Sequence, residues 1–255
     1  MKGYIFDLDG TVYLDDEPID GAAKTINELK AQGHKVVFLT NKSIARRSDY
    51  VEKLNKMGIE CTIEDVINSN FITAKFLQGK PGKALVIGEK PLFEELTEEG
   101  IQITNNPREA YYVVIGWDHE FNYEKLSQAY EAYQNGAKII ATNPDRTCPT
   151  KEGEIPDCEA MIGAIEGATG KTIDYIAGKP SRLMMQYVTE EVLKLPPNQC
   201  YMIGDRLETD ILMGNENGVN SVLVLTGITK RADVAQSEIK PTYILNSIAD
   251  LKSSD

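Results

Sequence analysis

The sequence is poor in the residues that hold zinc or build disulfide frameworks. Its 255 residues include only two histidines and four cysteines, and the cysteines are widely scattered without a C-x-x-C pair. A zinc site would lack its usual ligands, and the cysteines are better interpreted as free thiols of a reducing compartment. No basic and apolar signal segment follows Met1. These absences predict a cytoplasmic protein without zinc or disulfides.

Positive charge and long apolar runs are scarce as well. There are 27 Lys and Arg against 39 Asp and Glu, which gives a formal net charge of −12. Nucleic-acid-binding surfaces are basic, and a membrane-spanning helix needs about 20 apolar residues in a row. We therefore expect neither a nucleic-acid nor a membrane partner, and an anionic substrate would need locally placed cations.

What remains is the composition of an ordinary soluble globular protein, 42% hydrophobic and 26% charged. Its length allows one or two domains, and we expect two. Apolar runs of strand length, such as 4–8 and 36–39, alternate with helical patterns such as 22–29. This alternation predicts βαβ units around a parallel sheet. The runs are nearly continuous, which predicts strands covered by helices on both faces.

A Gly/Pro cluster at 79–82 interrupts this pattern, and a fresh α/β pattern follows it. Strands are predicted there at 84–87, 111–116 and 138–141, and helices at 91–99 and 123–134. Strands predicted at 200–203 and 221–225 return to the first pattern. The sequence thus predicts a Rossmann-like parallel-sheet core, residues 1–80 and 176–255, with an inserted smaller α/β cap domain, residues 81–175.

The strongest local signal is a pair of carboxylates, Asp7 and Asp9, that follow the first apolar run and precede Gly10. Residues i and i+2 of an extended chain face the same way, so both acids can converge at the carboxyl end of a strand, where open α/β sheets bind ligands. Gly10 would let the chain turn sharply there. The alternative is a plain Asp-Gly turn with an aspartate capping the next helix.

A second acidic pair, Asp205 and Asp210, follows another apolar run. Carboxylate oxygens from neighbouring strand ends can hold Mg²⁺, which prefers oxygen ligands. As an alternative, Asp210 could be a first-turn acid favoured by the helix dipole.

Two further segments could bind phosphate. Thr40 and Asn41 place a hydroxyl and an amide at the end of a predicted strand, and Lys179 stands just before a predicted helix with Ser181 as its N-cap. Taken alone, each is weak, because Thr and Asn end many strands and most lysines are solvated surface residues.

Together, in this order and each at a strand end, the four segments resemble the haloacid dehalogenase-like superfamily over essentially the whole chain. The resemblance implies a Mg²⁺-dependent phosphatase whose first Asp is the nucleophile and whose second is the general acid/base. The implied catalytic residues are Asp7 and Asp9; the implied Mg²⁺ ligands are Asp7, Asp9 through its backbone carbonyl, Asp205 and Asp210; the expected substrate-binding residues are Gly10, Thr40, Asn41, Lys179 and Asn143.

The position of the insertion, between the Thr40 and Lys179 segments, resembles the large α/β cap of the NagD-like branch. Segments 141–145, 178–181 and 204–210 are similar to that branch, including its AraL-type sugar phosphatases. The resemblance therefore implies small phosphorylated metabolites as substrates, sugar phosphates first among them, with broad specificity. Four residues at or just after predicted strand ends of the insertion are candidates for reading the leaving group: Trp117, Asp118, Asn143 and Asp145. For Trp117, packing in the core is an equal alternative.

Several functions use the same motifs and stay open. A phosphatase of nucleoside monophosphates, phosphoglycolate or pyridoxal phosphate would have the same core residues, and a non-catalytic phosphometabolite sensor could retain the fold. The oligomeric state is also open, with a homo-oligomer among the alternatives.

Overall fold

The computed structural model describes residues 1–150 and 153–251. Its contacts divide the chain into two compact units. The first, which we call the core unit, contains Met1–Thr40, Arg47–Ile67 and the chain from Pro180 onward. The second, the inserted unit, contains Asn41–Arg46 and Asn68–Lys179. The assignment of residues 81–175 as a functional cap stays a prediction.

The elements alternate between strand and helix along most of the chain. The strands are β1 (Gly3–Asp7), β2 (Tyr13–Leu14), β3 (Glu17–Pro18), β4 (Lys35–Thr40), β5 (Val66–Asn68), β6 (Lys83–Ile87), β7 (Ala110–Ile115), β8 (Lys138–Ala141), β9 (Thr147–Thr150), β10 (Gly153–Pro156), β11 (Tyr175–Ile176), β12 (Cys200–Gly204), β13 (Asn220–Val224) and β14 (Tyr243–Leu245). The α-helices are α1 (Ala22–Ala31), α2 (Arg47–Lys56), α3 (Ser69–Leu77), α4 (Lys90–Glu98), α5 (Tyr123–Gln134), α6 (Cys158–Thr169), α7 (Arg182–Gln186), α8 (Leu212–Glu216) and α9 (Arg231–Gln236). Short 3₁₀ turns lie at Ile63–Asp65, Pro107–Glu109, Pro197–Gln199 and Ile248–Asp250, and π-helical turns at Tyr187–Leu193 and Leu207–Ile211.

The core unit is built on a six-stranded sheet in the order β14-β13-β12-β1-β4-β5. The pairs from β14 through β4 run parallel. All five residues of β1 are buried, and its aromatic side chains contact those of the neighbouring strands, Tyr4 stacking on Tyr201 and Phe6 packing against Phe38. Such a strand is stable only between two covering layers. The carboxyl end of β1 is thereby fixed in the middle of the sheet.

The inserted unit has its own four-stranded parallel sheet in the order β11-β8-β7-β6. Helices α5 and α6 cover an apolar cluster that includes Val113, Ile139 and Ile162. Helix α6 begins at the N-cap Asp157, whose side chain accepts a hydrogen bond from the backbone N–H of Cys158, and ends at the left-handed Gly170.

The predicted α/β class with a parallel-sheet core is confirmed, and most of the predicted strands and helices lie within two residues of the observed ones. The four cysteines are free, as expected, and all four are buried. The antiparallel hairpins β2–β3 and β9–β10 were not predicted, because strands of two to four residues give no readable alternation. No helix in the described ranges is long and apolar enough to cross a membrane.

Candidate active site

Three of the predicted metal-binding carboxylates meet at one edge of the core sheet. Strands β1 and β12 are parallel neighbours, with Phe6 opposite Ile203, so the residues that follow them leave the sheet at the same edge. One carboxylate oxygen each from Asp7, Asp205 and Asp210 lie within 4.8 Å of one another, and all three side chains are buried. We call this group the carboxylate cluster.

Close approach of backbone to side chain builds the cluster. Asp210 lies on the π-helical turn Leu207–Ile211, and its Oδ2 accepts a hydrogen bond from the backbone N–H of Arg206 at 3.1 Å. At Gly204, an added Cβ would lie 2.2 Å from the Cγ of Asp210. Only glycine at this position lets the Asp210 carboxylate approach the end of β12.

Asp205 is held by a loop that the sequence did not single out. Its Oδ2 accepts a hydrogen bond from the backbone N–H of Ile228 at 2.6 Å. An added Cβ at Gly227 would lie 1.9 Å from this oxygen, and one at Gly10 would lie 2.7 Å from it. Gly10 also has a φ of +86°, a conformation that glycine adopts without strain. The predicted sharp turn is therefore present, and it also leaves room for Asp205.

The donor set of the cluster fits a hard divalent cation. Three buried carboxylates at this separation repel one another, and burial removes the water that would otherwise screen them. Mg²⁺ takes oxygen ligands and commonly binds through one or two carboxylates, with water and phosphate completing its shell. Asp7, Asp205 and Asp210 together can supply that site.

Asp9 lies outside the carboxylate cluster, in the tight turn after β1. The backbone N–H of Gly10 donates to the carbonyl of Tyr13, and the Tyr13 hydroxyl donates to Oδ2 of Asp9 at 3.3 Å. Burial is the main cause that raises the pKa of Tyr13, and the neighbouring charge of Asp9 raises it further. The phenol therefore stays protonated and can donate its hydrogen bond to Asp9. Tyr13 is thus a contact of the proposed acid/base that the motif alone did not reveal.

Thr40 is the last residue of β4 and is buried. Strand β4 pairs in parallel with β1, with Asp7 opposite Leu39. Thr40 therefore lies at the same edge of the sheet as the carboxylate cluster. The sequence predicts this because each motif stands at the end of a strand.

The remaining predicted residues belong to the inserted unit. Asn41 contacts Lys179 and Asp145 through hydrogen bonds. Asn143 is buried, and its Nδ2 donates to Oδ2 of Asp145 at 2.9 Å and to Oδ1 of Asp157 at 3.2 Å. Four of the predicted polar residues thus form one buried network: Asn41, Asn143, Asp145 and Lys179.

Trp117 and Asp118 have other surroundings. Trp117 is 3% exposed and belongs to the apolar cluster of the inserted unit. This position agrees with the alternative that Trp117 packs in the core. Asp118 is buried with an ion pair of 2.6 Å to Lys125 and accepts a hydrogen bond from the backbone N–H of Glu120. Their role in reading the leaving group stays a prediction.

A substitution at Gly204 tests the architecture of the cluster. Gly204→Ala is expected to displace Asp210 and to destabilise the fold by about 1–3 kcal/mol, as overpacking does. A bound ion stabilises a protein by about 2.7 kcal/mol at 100 times its Kd, so wild type should melt at a higher temperature with Mg²⁺. We expect this Mg²⁺-dependent rise to shrink in Gly204→Ala.

Gly163→Ala is the matched control, because nothing lies within 4 Å of an added Cβ at this position in α6. It should keep the full Mg²⁺ response. An undiminished response in Gly204→Ala would show that Asp210 is not part of the metal site.

Comparison with known proteins agrees with this geometry. Residues 4–102 match a family model described as haloacid dehalogenase-like hydrolase, and residues 176–251 match a second model of HAD-like hydrolases. The sugar-phosphatase AraL of Bacillus subtilis is 39% identical over 98% of this chain and 91% of its own length. An acid sugar phosphatase of Staphylococcus haemolyticus is 35% identical over 95% of this chain and 92% of its own length.

Solved structures give the same result. A 4-nitrophenylphosphatase from Thermotoga maritima matches with a TM-score of 0.91 and 34% identity, covering 98% of this chain and 95% of its own. NagD from E. coli K-12 matches with a TM-score of 0.89 and 30% identity, covering 99% of this chain and 98% of its own. The chain therefore belongs to the haloacid dehalogenase-like hydrolases, as a phosphatase of their NagD-like branch.

Proposed function

We propose that this phosphatase hydrolyses small phosphate monoesters, sugar phosphates among them, in a Mg²⁺-dependent reaction that proceeds through an aspartyl-phosphate on Asp7. The observation that carries the proposal is the buried carboxylate cluster of Asp7, Asp205 and Asp210 at the end of β1, with Asp9 in the adjoining turn. The names of the relatives, sugar phosphatases and a 4-nitrophenylphosphatase, support the same reaction class.

In the proposed reaction, an oxygen of Asp7 attacks phosphorus and the alcohol leaves, so the ester bond breaks as the acyl phosphate forms. Asp7, the backbone carbonyl of Asp9, Asp205 and Asp210 would hold Mg²⁺. When bound, Mg²⁺ neutralises charge on the phosphoryl group and on the cluster. Without positive charge, a phosphate dianion would be repelled by these carboxylates.

Asp9 would act twice. It first gives a proton to the leaving alkoxide, and then takes one from the water that hydrolyses the acyl phosphate. The hydrogen bond from the Tyr13 hydroxyl to Oδ2 of Asp9 supports this role, since it orients the carboxyl group before the reaction.

Thr40 and Lys179 would bind the phosphoryl group. The Thr40 hydroxyl would donate a hydrogen bond to an equatorial phosphoryl oxygen. The Lys179 ammonium group would supply local positive charge, which a chain with a formal net charge of −12 needs in order to bind an anion. We assign the choice of leaving group to the inserted unit, with Asn143 and Asp145 as candidates. Phosphatases of nucleoside monophosphates, phosphoglycolate or pyridoxal phosphate are the alternatives within the same chemistry.

A substrate panel tests the proposal. Phosphate release is measured from sugar phosphates, nucleotides, phosphoglycolate, pyridoxal phosphate and p-nitrophenyl phosphate, with Mg²⁺ or with EDTA. We expect release that depends on Mg²⁺, with sugar phosphates ranking high. Undiminished phosphate release in EDTA would show that the reaction does not require a metal ion. Tight ligand binding without any release would favour the alternative of a phosphometabolite sensor.

A further inference from the structure

The side chain of Asn41 forms a bridge to the backbone of one residue, Lys179. Oδ1 of Asn41 accepts a hydrogen bond from the N–H of Lys179 at 2.8 Å, and its Nδ2 donates to the C=O of Lys179 at 3.0 Å. The two residues are 138 positions apart in the chain. An antiparallel strand partner binds the N–H and C=O of a residue in the same paired way. The amide therefore extends the backbone pairing beyond β11, which ends at Ile176.

Asp145 fixes the orientation of this amide. Nδ2 of Asn41 donates its other hydrogen to Oδ2 of Asp145 at 2.8 Å. An ionised carboxylate can only accept, so it requires the NH₂ group of Asn41 to face it. Oδ1 is then directed to the N–H of Lys179. Both amide hydrogens are thus used within the inserted unit, and neither is left to donate to a phosphate oxygen.

Gly178 provides the space for the bridge. An added Cβ there would lie 2.5 Å from Oδ1 of Asn41 and 2.5 Å from the carbonyl oxygen of Thr142. The N–H of Gly178 donates to that same carbonyl at 2.7 Å. The backbone of 178–179 is therefore held by main-chain pairing on one residue and by the amide bridge on the next.

We infer that Asn41 is a positioning residue for the phosphatase reaction: it fixes the backbone of Lys179, and its side chain does not bind the substrate. The inference rests on the proposed role of Lys179. It replaces the direct contact between the Asn41 amide and phosphate that was expected from the sequence. A cation stabilises the transferring phosphoryl group well only if it is held in place before the reaction. The bridge to Asn41 fixes the backbone from which the Lys179 side chain extends.

A double-mutant cycle separates positioning from direct binding. Asn41→Ala is expected to lower kcat/KM by about 10- to 100-fold, the cost of misplacing a reacting group by roughly 1 Å. In a Lys179→Met background, the same substitution should cost less than about twofold, which is the usual error of additivity. If Asn41 bound the substrate itself, the two costs would multiply, and the inference would be wrong.

Amide hydrogen exchange gives a second readout that does not need activity. The Lys179 N–H should exchange at least about fivefold faster in Asn41→Ala, because a buried hydrogen bond is lost. Ser69→Ala is the control: the Ser69 hydroxyl donates to the backbone carbonyl of Asn41 at 2.7 Å, and its removal leaves the amide bridge intact. Ser69→Ala should leave the exchange rate of the Lys179 N–H unchanged. Any loss of kcat/KM that it causes should be as large in the Lys179→Met background as in wild type.

Each outcome decides a separate point. Unchanged Lys179 exchange in Asn41→Ala would overturn the inference whatever the kinetics show. Full activity of Lys179→Met would remove both the proposed role of Lys179 and the positioning inference. A wild-type protein without phosphate release would refute the proposed function, while the exchange experiment still tests the bridge. Should Asn41→Ala fail to fold, Asn41→Ser is measured in its place, because a single hydroxyl on a shorter side chain cannot bridge the N–H and the C=O of Lys179.

Discussion

Asp7→Asn is expected to lower kcat by at least about 10⁴-fold, the order of loss seen when a covalent nucleophile is removed. The amide has nearly the same size as the carboxylate but cannot attack phosphorus. The substitution also removes one of three buried like charges from the carboxylate cluster. We therefore expect the metal-free variant to be at least as stable to heat as the metal-free wild type, because the repulsion within the cluster decreases.

This combination of lost activity and retained stability distinguishes the nucleophile from a structural aspartate. The measurements are single-turnover phosphate release and thermal unfolding in EDTA. Asp20→Asn serves as the control, since Asp20 is an exposed carboxylate of the same unit and should change neither. Turnover near that of wild type in pure Asp7→Asn protein would show that the nucleophile is another residue.

The places of the candidate site residues of the core unit could be predicted from the sequence because each motif is local and lies at the end of a strand. A parallel sheet brings the carboxyl ends of its strands to one edge, so the short motifs around Asp7, Thr40 and Asp205 give the edge once the strand order is known. In the structure Asp7 and Thr40 are the last residues of β1 and β4, Asp205 follows β12, and the three strands are neighbours. No long-range contact had to be guessed for that part of the site.

The supporting contacts could not be predicted in this way. The N–H of Ile228 that binds Asp205 comes from a loop after β13, and no residue type marks it in the sequence. The amide of Asn41 was expected to face phosphate, whereas its hydrogen-bond partners in the inserted unit come from segments more than 100 residues away. Such partners depend on packing between distant segments, about which strand and helix patterns carry no information.

The contact between Tyr13 and Asp9 illustrates an intermediate case. The two residues are only four positions apart, yet nothing in the sequence pattern marks Tyr13 as a partner of Asp9. The tight turn through Gly10, with its positive φ, brings the phenol back onto the carboxylate. A dihedral angle that cannot be read from the sequence thus decides which side chain holds the proposed acid/base.

Asp9→Asn is expected to slow both half-reactions, with a loss of about 10²–10⁴-fold for esters with a poor leaving group. The leaving group decides how strongly the first step, formation of the acyl phosphate, depends on Asp9. The second step, its hydrolysis, depends on Asp9 for every ester. A sugar alkoxide needs a proton to depart, whereas p-nitrophenolate departs without one. Hydrolysis of the acyl phosphate still requires Asp9 to take a proton from water.

With p-nitrophenyl phosphate, Asp9→Asn should therefore release a rapid burst of p-nitrophenol, close to one equivalent per active site, followed by slow turnover. With a sugar phosphate the first step is slow, and no burst of the sugar should appear. Tyr13→Phe is the matched comparison: it removes the hydroxyl that donates to Asp9 but leaves the carboxylate, so a smaller loss without a burst is expected. Equal losses for both esters, with no burst from either, would mean that Asp9 acts as part of the metal site and not as the acid and base of the two steps.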